Sequence, residues 1–526
     1  MRAEHKQLTR TEVTSRVLDQ LEKRPAGVLH DVLADTLYHE RMRLNGPRYQ
    51  WESGDPAYWG KVAKRLDSAN PTALRDLGKE VIARFVDDIM GSFDPRMYRA
   101  VTSTVPTALG LLLNSLDPVR ALKDPKQALR LADNVAIHGE TEAVRRLSQK
   151  GTVVVTPTHL SNLDSIVLGY TAYLVGLPPL TYGAGLNLFT NRLIGFFMNH
   201  LGAYRIDRRK KAELYKDVLK EYATYTMELG YHHLFFPGGT RSRSGSVERR
   251  LKKGLLGSAL TAYQHNLESG KRQPNLYFVP CDISYGLVLE AETLIEDYLK
   301  DVGKSRYIII DDEFSRLERI ASFFRDMMAL DSRIHITFGE PMDPFGNRVD
   351  FQGRSVDQRG RPVDITRYVM RDGKVVHDAQ RDHEYTSELA DHLVGSLARI
   401  ARMQSTHVLA FAIHLLTRKK HPGADLYRVL KEGAGPTGFV LSDVLAAVER
   451  LLVGIRERAA AGRLGLAPDL EGKSADEVVG QALRYFASYH RNRAAWREGD
   501  RIQCDSQELA YYYHNRLTGY GLEDLV

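Results

Sequence analysis

Apolar and polar positions recur along this chain with two different periods, and the change of period marks its regions. In the stretch ANPTALRDLGKEVIARFVDDIMG, apolar side chains at Leu74, Leu77, Val81, Phe85 and Ile89 return every three or four residues, which predicts a helix with one buried face. Asn70 reads as its cap and Pro71 as its first helical residue. Residues 1–148 read as helical throughout. From residue 149 to 345 the texture changes. β-rich runs at Thr152–Thr156, Leu180–Gly183, Ala203–Ile206, His233–Phe236, Leu276–Pro280 and His335–Phe338 alternate with helix-like segments such as Ala212–Leu229 and Gly254–Leu267. That repetition predicts an α/β fold with a central, mostly parallel sheet flanked by helices. Ligands of such sheets gather where strands end and loops begin. Residues 346–383 read as a polar linker with a hairpin at Asp372-Gly373. In residues 384–526 helix returns, including Ser387–Leu416 and Leu441–Ala460. The expected organisation is a helical N-terminal region, an α/β domain, a linker and a helical C-terminal region.

Composition narrows the class. The chain has 526 residues, 43% hydrophobic and 26% charged, which is enough for a large ordered core. Its two cysteines, Cys281 and Cys504, are far apart and form no C-x-x-C pair, so a disulfide framework and a cysteine zinc site are not expected and a reducing compartment fits. The N-terminal MRAEHKQLTRTEV lacks the apolar core of a signal peptide. The longest apolar windows, Val101–Leu116 and Ile166–Leu180, fall short of the ~18–20 residues of a membrane span, so none is expected.

The net charge of +7 is local: Arg205–Lys211 carries +4 and Arg241–Lys253 carries +5, leaving −2 on the rest. A solvated charge run is the usual explanation of such clusters; two of them around one region tilt the reading towards an anionic ligand, phosphate or an acidic membrane surface. Nucleic acid is not expected, because no recognition helix, zinc finger or aromatic stacking pattern accompanies the charge.

The stretch TPTHLSNLDSIVL, Thr156–Leu168, follows an apolar strand-like run and carries His159 and Asp164. The H-x4-D spacing alone decides nothing, since His30/Asp35 and His377/Asp382 share it. Residues five apart on one straight helix diverge by about 140°, so such a pair cooperates only across a turn. Only His159 has a β run immediately before it, which places it in the turn and Asp164 in the next helix. An aspartate on Nδ1–H would orient the imidazole and leave Nε2 to take a proton; a satisfied structural histidine is the alternative. A second stretch, FFPGGTRSRSG, runs from a strand into Gly238 and Gly239 and then Arg241 and Arg243, a composition suited to phosphate. A tight turn followed by an exposed charged loop is its alternative. LGAYRIDRR reads as a short strand ending in Arg208 and Arg209, and NLYFVPCDISY as a buried strand ended by Pro280. No G-x-S-x-G elbow occurs, and Gly303-Lys304-Ser305 and Gly472-Lys473-Ser474 lack the upstream glycine of a P-loop.

As an ordered set these stretches resemble the four motifs of the glycerolipid acyltransferases. THLSNLD resembles the first, GAYRIDR the second with its arginine at Arg208, FPGGTRSRSG the third, and FVPCDISY the fourth with its proline at Pro280. Within that superfamily the chain is most similar to the glycerol-3-phosphate acyltransferases and their dihydroxyacetone-phosphate relatives. LPPLTYGAGLNLF, the extended R-S-R-S-G and the C-terminal ELAYYYHNRL carry that similarity. One position departs: the third motif usually has glutamate, as in F-P-E-G-T-R, where this chain has Gly238.

The resemblance implies transfer of a fatty acyl group from acyl-CoA or acyl-carrier protein to the sn-1 hydroxyl of glycerol 3-phosphate, giving lysophosphatidic acid in phospholipid biosynthesis. Its alternatives are lysophosphatidic acid or dihydroxyacetone phosphate as acceptor, and a non-catalytic lipid-binding homologue. His159 would be the base and Asp164 its partner. Arg208, Gly238, Gly239, Thr240, Arg241, Ser242, Arg243 and Pro280 would form the acceptor site, with backbone N–H groups near Gly238 and Gly239 as oxyanion donors. No metal and no cofactor beyond the acyl thioester is implied. Leu186–Tyr204 is either a core helix or an acyl-channel or interfacial element. A peripheral position on the cytoplasmic membrane face is expected, with acyl-carrier protein a further partner.

Overall fold

The computed structural model describes residues 3–25, 27–46, 49, 52–90, 135–189, 202–302, 333–433, 435 and 437–526. A seven-stranded sheet lies at the centre: β1 (Val135–Gly139), β2 (Thr152–Pro157), β3 (Thr181–Gly185), β4 (Ala203–Ile206), β5 (His233–Leu234), β6 (Leu276–Ser284) and β7 (Ile334–Phe338). Their spatial order is β1-β7-β6-β2-β5-β3-β4. β6, β2, β5, β3 and β4 run parallel; β7 is antiparallel to β6, and β1 parallel to β7. All six residues of β2 are buried, which is why its sequence is a continuous apolar run rather than an alternation.

Fifteen helices surround the sheet among the described residues. The N-terminal four are α1 (Ala3–Glu22), α2 (Val28–Leu44), α3 (Asp55–Leu66) and α4 (Pro71–Ile89). The next five are α5 (Thr141–Leu147), α6 (Asp164–Val175), α7 (Glu213–Glu228), α8 (Gly254–Glu268) and α9 (Ala291–Val302). The last six are α10 (Ala379–Ile400), α11 (Ser405–Lys420), α12 (Leu426–Glu432), α13 (Leu441–Ala460), α14 (Ala475–Phe486) and α15 (Gln507–His514). In α4 the Asn70 side chain accepts the Ala73 N–H at 2.9 Å with Pro71 in the first turn, as the pattern predicts. Its buried face, Leu77, Val81, Phe85 and Ile89, packs in one cluster with Tyr204 of β4 and Leu214, Tyr215, Val218 and Tyr222 of α7. The N-terminal bundle thus braces the far edge of the sheet. The C-terminal helices share the main core: Leu397, Val408, Phe411, Leu451 and Leu509 lie in one cluster with Val153, Val279 and Ile336.

Four expectations change. β1 lies where the pattern reads as helix; its partner β7 is some 200 residues away, so no local hairpin signal marks it. β5 stops at Leu234 rather than Phe236, because the chain turns there into the Pro237 loop. β6 does not end at Pro280 but runs through it to Ser284. The Pro280 carbonyl accepts from Gly339 N–H at 2.8 Å, beside the Phe278–Met342 bridge, so the missing N–H faces a bend and not the β2 ladder. The helix expected over Ser387–Leu416 is two helices, α10 and α11, broken at Ala401–Gln404. There the Arg402 N–H donates to Asp282 Oδ2 at 3.1 Å, and Gln404 with His407 forms a capping box for α11. Asp372 (φ 50) and Gly373 (φ 74) join two short antiparallel strands, the expected hairpin. Val101–Leu116, Gly303-Lys304-Ser305 and residues 190–201 of the Leu186–Tyr204 run lie outside the described residues.

Candidate active site

The chain leaves β2 pinned to β6. The Thr158 N–H donates to the Cys281 carbonyl at 2.9 Å, and its hydroxyl donates to Asp282 Oδ1 at 3.2 Å while accepting the Ile283 N–H at 2.9 Å. His159 follows in the turn, and Asp164 opens α6. His159 Nδ1 lies 2.9 Å from Asp164 Oδ2. The same oxygen accepts the N–H groups of Leu160 (2.7 Å) and Ser161 (3.0 Å), and the Tyr285 hydroxyl donates to Oδ1 at 2.6 Å. Four donors therefore converge on one buried carboxylate, so the imidazole orientation is over-determined. Nδ1 carries the proton given to Asp164, leaving Nε2 as the acceptor atom of the ring. The Phe236 ring stacks on the imidazole with centroids 3.9 Å apart. The other two H-x4-D pairs do not form: His30 sits beside Asp31, Asp35 pairs with His39, and His377 pairs with Glu268.

Burial pushes the His159 pKa below its ordinary value; the Asp164 bond and charge oppose this, and the Arg241 and Arg208 charges add to it. The neutral, proton-accepting form is favoured. Those two arginines flank the histidine from different elements. Arg208, after β4, donates to the Gly239 carbonyl at 3.0 Å. Arg241 donates to Glu290 Oε1 at 3.2 Å. Burial and then the Arg241 charge lower the pKa of Arg208, as like charges at close quarters do.

The remaining sequence-chosen residues divide. Ser242 belongs to the frame: its N–H donates to the His159 carbonyl at 2.6 Å and its hydroxyl to the Ser246 carbonyl at 2.8 Å. Thr240 is exposed on the loop. Arg243 turns away to Asp297 (3.1 Å) and Asp301 (2.7 Å) of α9. Pro280 lies in the sheet beside Gly339, which borders Ser396 and Ile400 of α10. Gly239 has φ +77, a left-handed conformation that favours glycine; a Cβ there would also meet the flexible end of the Lys252 side chain at 2.5 Å. Its N–H donates to the Phe236 carbonyl at 2.9 Å and is not free for an oxyanion, contrary to expectation.

Other residues at the site carried no role in the sequence reading. Tyr285 stands at the end of FVPCDISY without a role of its own there. Glu290, fully buried, accepts the Ser161 hydroxyl at 2.7 Å and the Asn162 N–H at 3.0 Å and so couples the histidine turn to Arg241; no sequence pattern marks it. Glu248, counted only as the single acid of a basic run, accepts the His159 backbone N–H at 2.8 Å. The C-terminal ELAYYYHNRL closes on the same place. Arg516 pairs with Asp282 at 2.5 Å, Asn515 donates to the Ser244 carbonyl at 2.9 Å, and the Tyr513 hydroxyl accepts the Val288 N–H at 3.0 Å. Gly245 (φ +81) lies so close to the Tyr512 carbonyl that an added Cβ would stand 2.3 Å from it.

The site is thus an acid–base pair at the end of a central parallel strand, flanked by two arginines. Residues 134–284 match the family model described as Acyltransferase. It is similar to the glycerol-3-phosphate acyltransferase of Ectopseudomonas mendocina (strain ymp), 30% identical over 217 residues, 40% of this chain and 24% of that one. It is likewise similar to that of Baumannia cicadellinicola subsp. Homalodisca coagulata, 31% identical over 206 residues, 38% of this chain and 23% of that one. The enzyme of the same name from Pseudomonas aeruginosa (strain LESB58) is 30% identical over 213 residues, 39% and 23% of the two chains. The match thus spans about a quarter of the length of these curated relatives.

Proposed function

We propose that this protein is an acyltransferase that moves a fatty acyl group from a thioester, acyl-CoA or acyl-carrier protein, to the sn-1 hydroxyl of glycerol 3-phosphate. The observation that carries the reading is the His159–Asp164 pair, with Nδ1 bonded to Asp164, no hydrogen bond to Nε2 among the described residues, and the ring flanked by Arg208 and Arg241. The names of the similar proteins supply the acceptor. The acceptor oxygen attacks the thioester carbonyl as its proton passes to His159 Nε2. Asp164 stabilises the imidazolium that results. The tetrahedral adduct collapses with cleavage of the C–S bond, and the departing thiolate takes the proton from Nε2. The acceptor phosphate rests between Arg208 and Arg241, which places its hydroxyl at the histidine. The exposed basic residues Arg249, Arg250, Lys252 and Lys253 support peripheral docking on an acidic, cytoplasmic membrane face. Among the described residues no helix is long and apolar enough to cross a membrane.

The test offers the purified protein labelled acyl-CoA with glycerol 3-phosphate, dihydroxyacetone phosphate or lysophosphatidic acid in parallel. Transfer to the first is expected; transfer only to another acceptor reassigns the substrate, and transfer to none by folded protein on lipid rejects the reading. The arginines should separate. Arg208→Ala or Arg241→Ala should raise KM for glycerol 3-phosphate by about tenfold or more, the worth of a charge-assisted hydrogen bond. Arg243→Ala, engaged on α9, should change it less than about threefold; an equal effect at all three positions would remove the distinction.

Acidity supplies a second check. Since burial lowers the His159 pKa, the base form persists below pH 6.5, and kcat/KM should stay level through neutrality and fall only at lower pH. Asp164 opposes that shift, so Asp164→Asn should carry the acid limb further down in pH, besides reducing the plateau. An acid limb that stays in place in Asp164→Asn would belong to another group.

A further inference from the structure

The glycine at 238 leaves an opening, and another residue fills it. A Cβ built on Gly238 would lie 3.2 Å from Cγ of Glu248 and 3.6 Å from its Oε1. The second distance is about what separates Cβ from a carboxylate oxygen within one glutamate side chain. Glu248 Oε1 thus lies within the reach of a glutamate carboxylate at 238. There it accepts the backbone N–H of His159 at 2.8 Å. The segment that carries Glu248 is itself tied down. The Lys252 N–H donates to the Pro237 carbonyl at 2.7 Å, and Arg249 donates to the Thr518 carbonyl at 2.6 Å.

We propose that Glu248 is the positioning carboxylate of this site, supplied from ten residues downstream into the space that Gly238 leaves, and that it fixes the main chain of His159. This rests on the acyltransferase reading for its consequence in rate, but not for its consequence in structure. The His159 N–H and carbonyl are both held by this arm of the chain, the first by Glu248 and the second by the Ser242 N–H. With Nδ1 on Asp164, three anchors define the ring. Burial raises the Glu248 pKa to about 7, against the pull of the His159 N–H and the nearby Arg516 charge. Ionised or neutral, Oε1 still accepts, so the role requires an acceptor and not a charge. Oε2 is buried with no hydrogen-bond partner among the described residues, which is the cost of bringing the group here.

The test compares Glu248→Ala, Glu248→Gln, Gly238→Glu and Gly238→Glu/Glu248→Ala, by acyl transfer, thermal unfolding and NMR titration of the His159 ring. Glu248→Ala should lower kcat about tenfold or more, with KM for the acceptor little changed, since small misplacement of a reacting group is costly. It should also displace the His159 ring resonances. Glu248→Gln should stay within about threefold of wild type, because its amide oxygen takes the same bond. Gly238→Glu alone should be impaired, with two carboxylates contending for one place, and the double variant should regain most of what either single variant loses. Were Glu248→Ala to unfold, recovery of the fold in the double variant would support the same assignment. Wild-type activity in Glu248→Ala, or a double variant no better than Glu248→Ala in any readout, overturns it. If wild-type protein transfers no acyl group, the ring resonances decide alone: displacement in Glu248→Ala and return in Glu248→Gln uphold the positioning while the functional reading fails.

Discussion

His159→Ala is expected to lower kcat for acyl transfer by about 10²–10⁴-fold, the usual worth of a positioned general base. KM for the acceptor should move little, because the phosphate is held by Arg208 and Arg241 and not by the imidazole. Stability should change modestly. The ring stacks on Phe236 and bonds Asp164, but Asp164 keeps three other donors, from Leu160, Ser161 and Tyr285. Initial rates over a range of glycerol 3-phosphate, with a thermal melt of the same preparation, separate these quantities. A variant that retains more than about a tenth of wild-type kcat would mean that another group takes the proton, since a positioned general base typically contributes about 10²-fold or more.

The second large effect is expected at a residue far along the chain from the family domain but in contact with it. Arg516→Met should destabilise the fold by about 3–5 kcal/mol, the usual consequence of stripping one partner from a buried ion pair. Arg516 is 2% exposed and Asp282 not at all, and they meet at 2.5 Å. Left alone, the Asp282 carboxylate keeps, among the described residues, the Thr158 hydroxyl and the Arg402 N–H. Both matter to the site, for Thr158 fixes where β2 ends and His159 begins. Activity should therefore fall together with stability. Asp282→Asn/Arg516→Met, which removes the stranded charge, should recover part of the loss. Denaturant unfolding of the three proteins reads this directly. A loss below about 1 kcal/mol in Arg516→Met, the range of an exposed pair, would show that the contact is not structural.

Much of the architecture was open to inspection in the chain. The run at Val153–Val155 has no polar alternation, as a strand covered on both faces must not. The spacing of Leu77, Val81, Phe85 and Ile89 reports one helix face. Both are local consequences of backbone geometry, so they survive without tertiary information. β1 and the break between α10 and α11 were not legible, because each depends on a remote partner. β1 exists by pairing with Ile334–Phe338, and α10 ends where Asp282 claims the Arg402 N–H.

The site divides in the same way. His159, Asp164, Arg208 and Arg241 could be picked from the sequence, since each stands beside a strand end in a recognisable stretch. Arg243 could be picked too, and only the acids of α9 reveal that it is engaged elsewhere. By itself, then, the sequence determined the strand–turn–helix that brings one histidine and one aspartate together, because five residues and a turn suffice for that. Tertiary structure alone decided what surrounds them: Tyr285 and Glu248 reach the pair itself, and Glu290 and Arg516 the residues that frame it, from 84 to 357 positions away along the chain. No spacing rule connects such residues; the folded sheet does, by setting β2 beside β6 and closing the C-terminal helix over both.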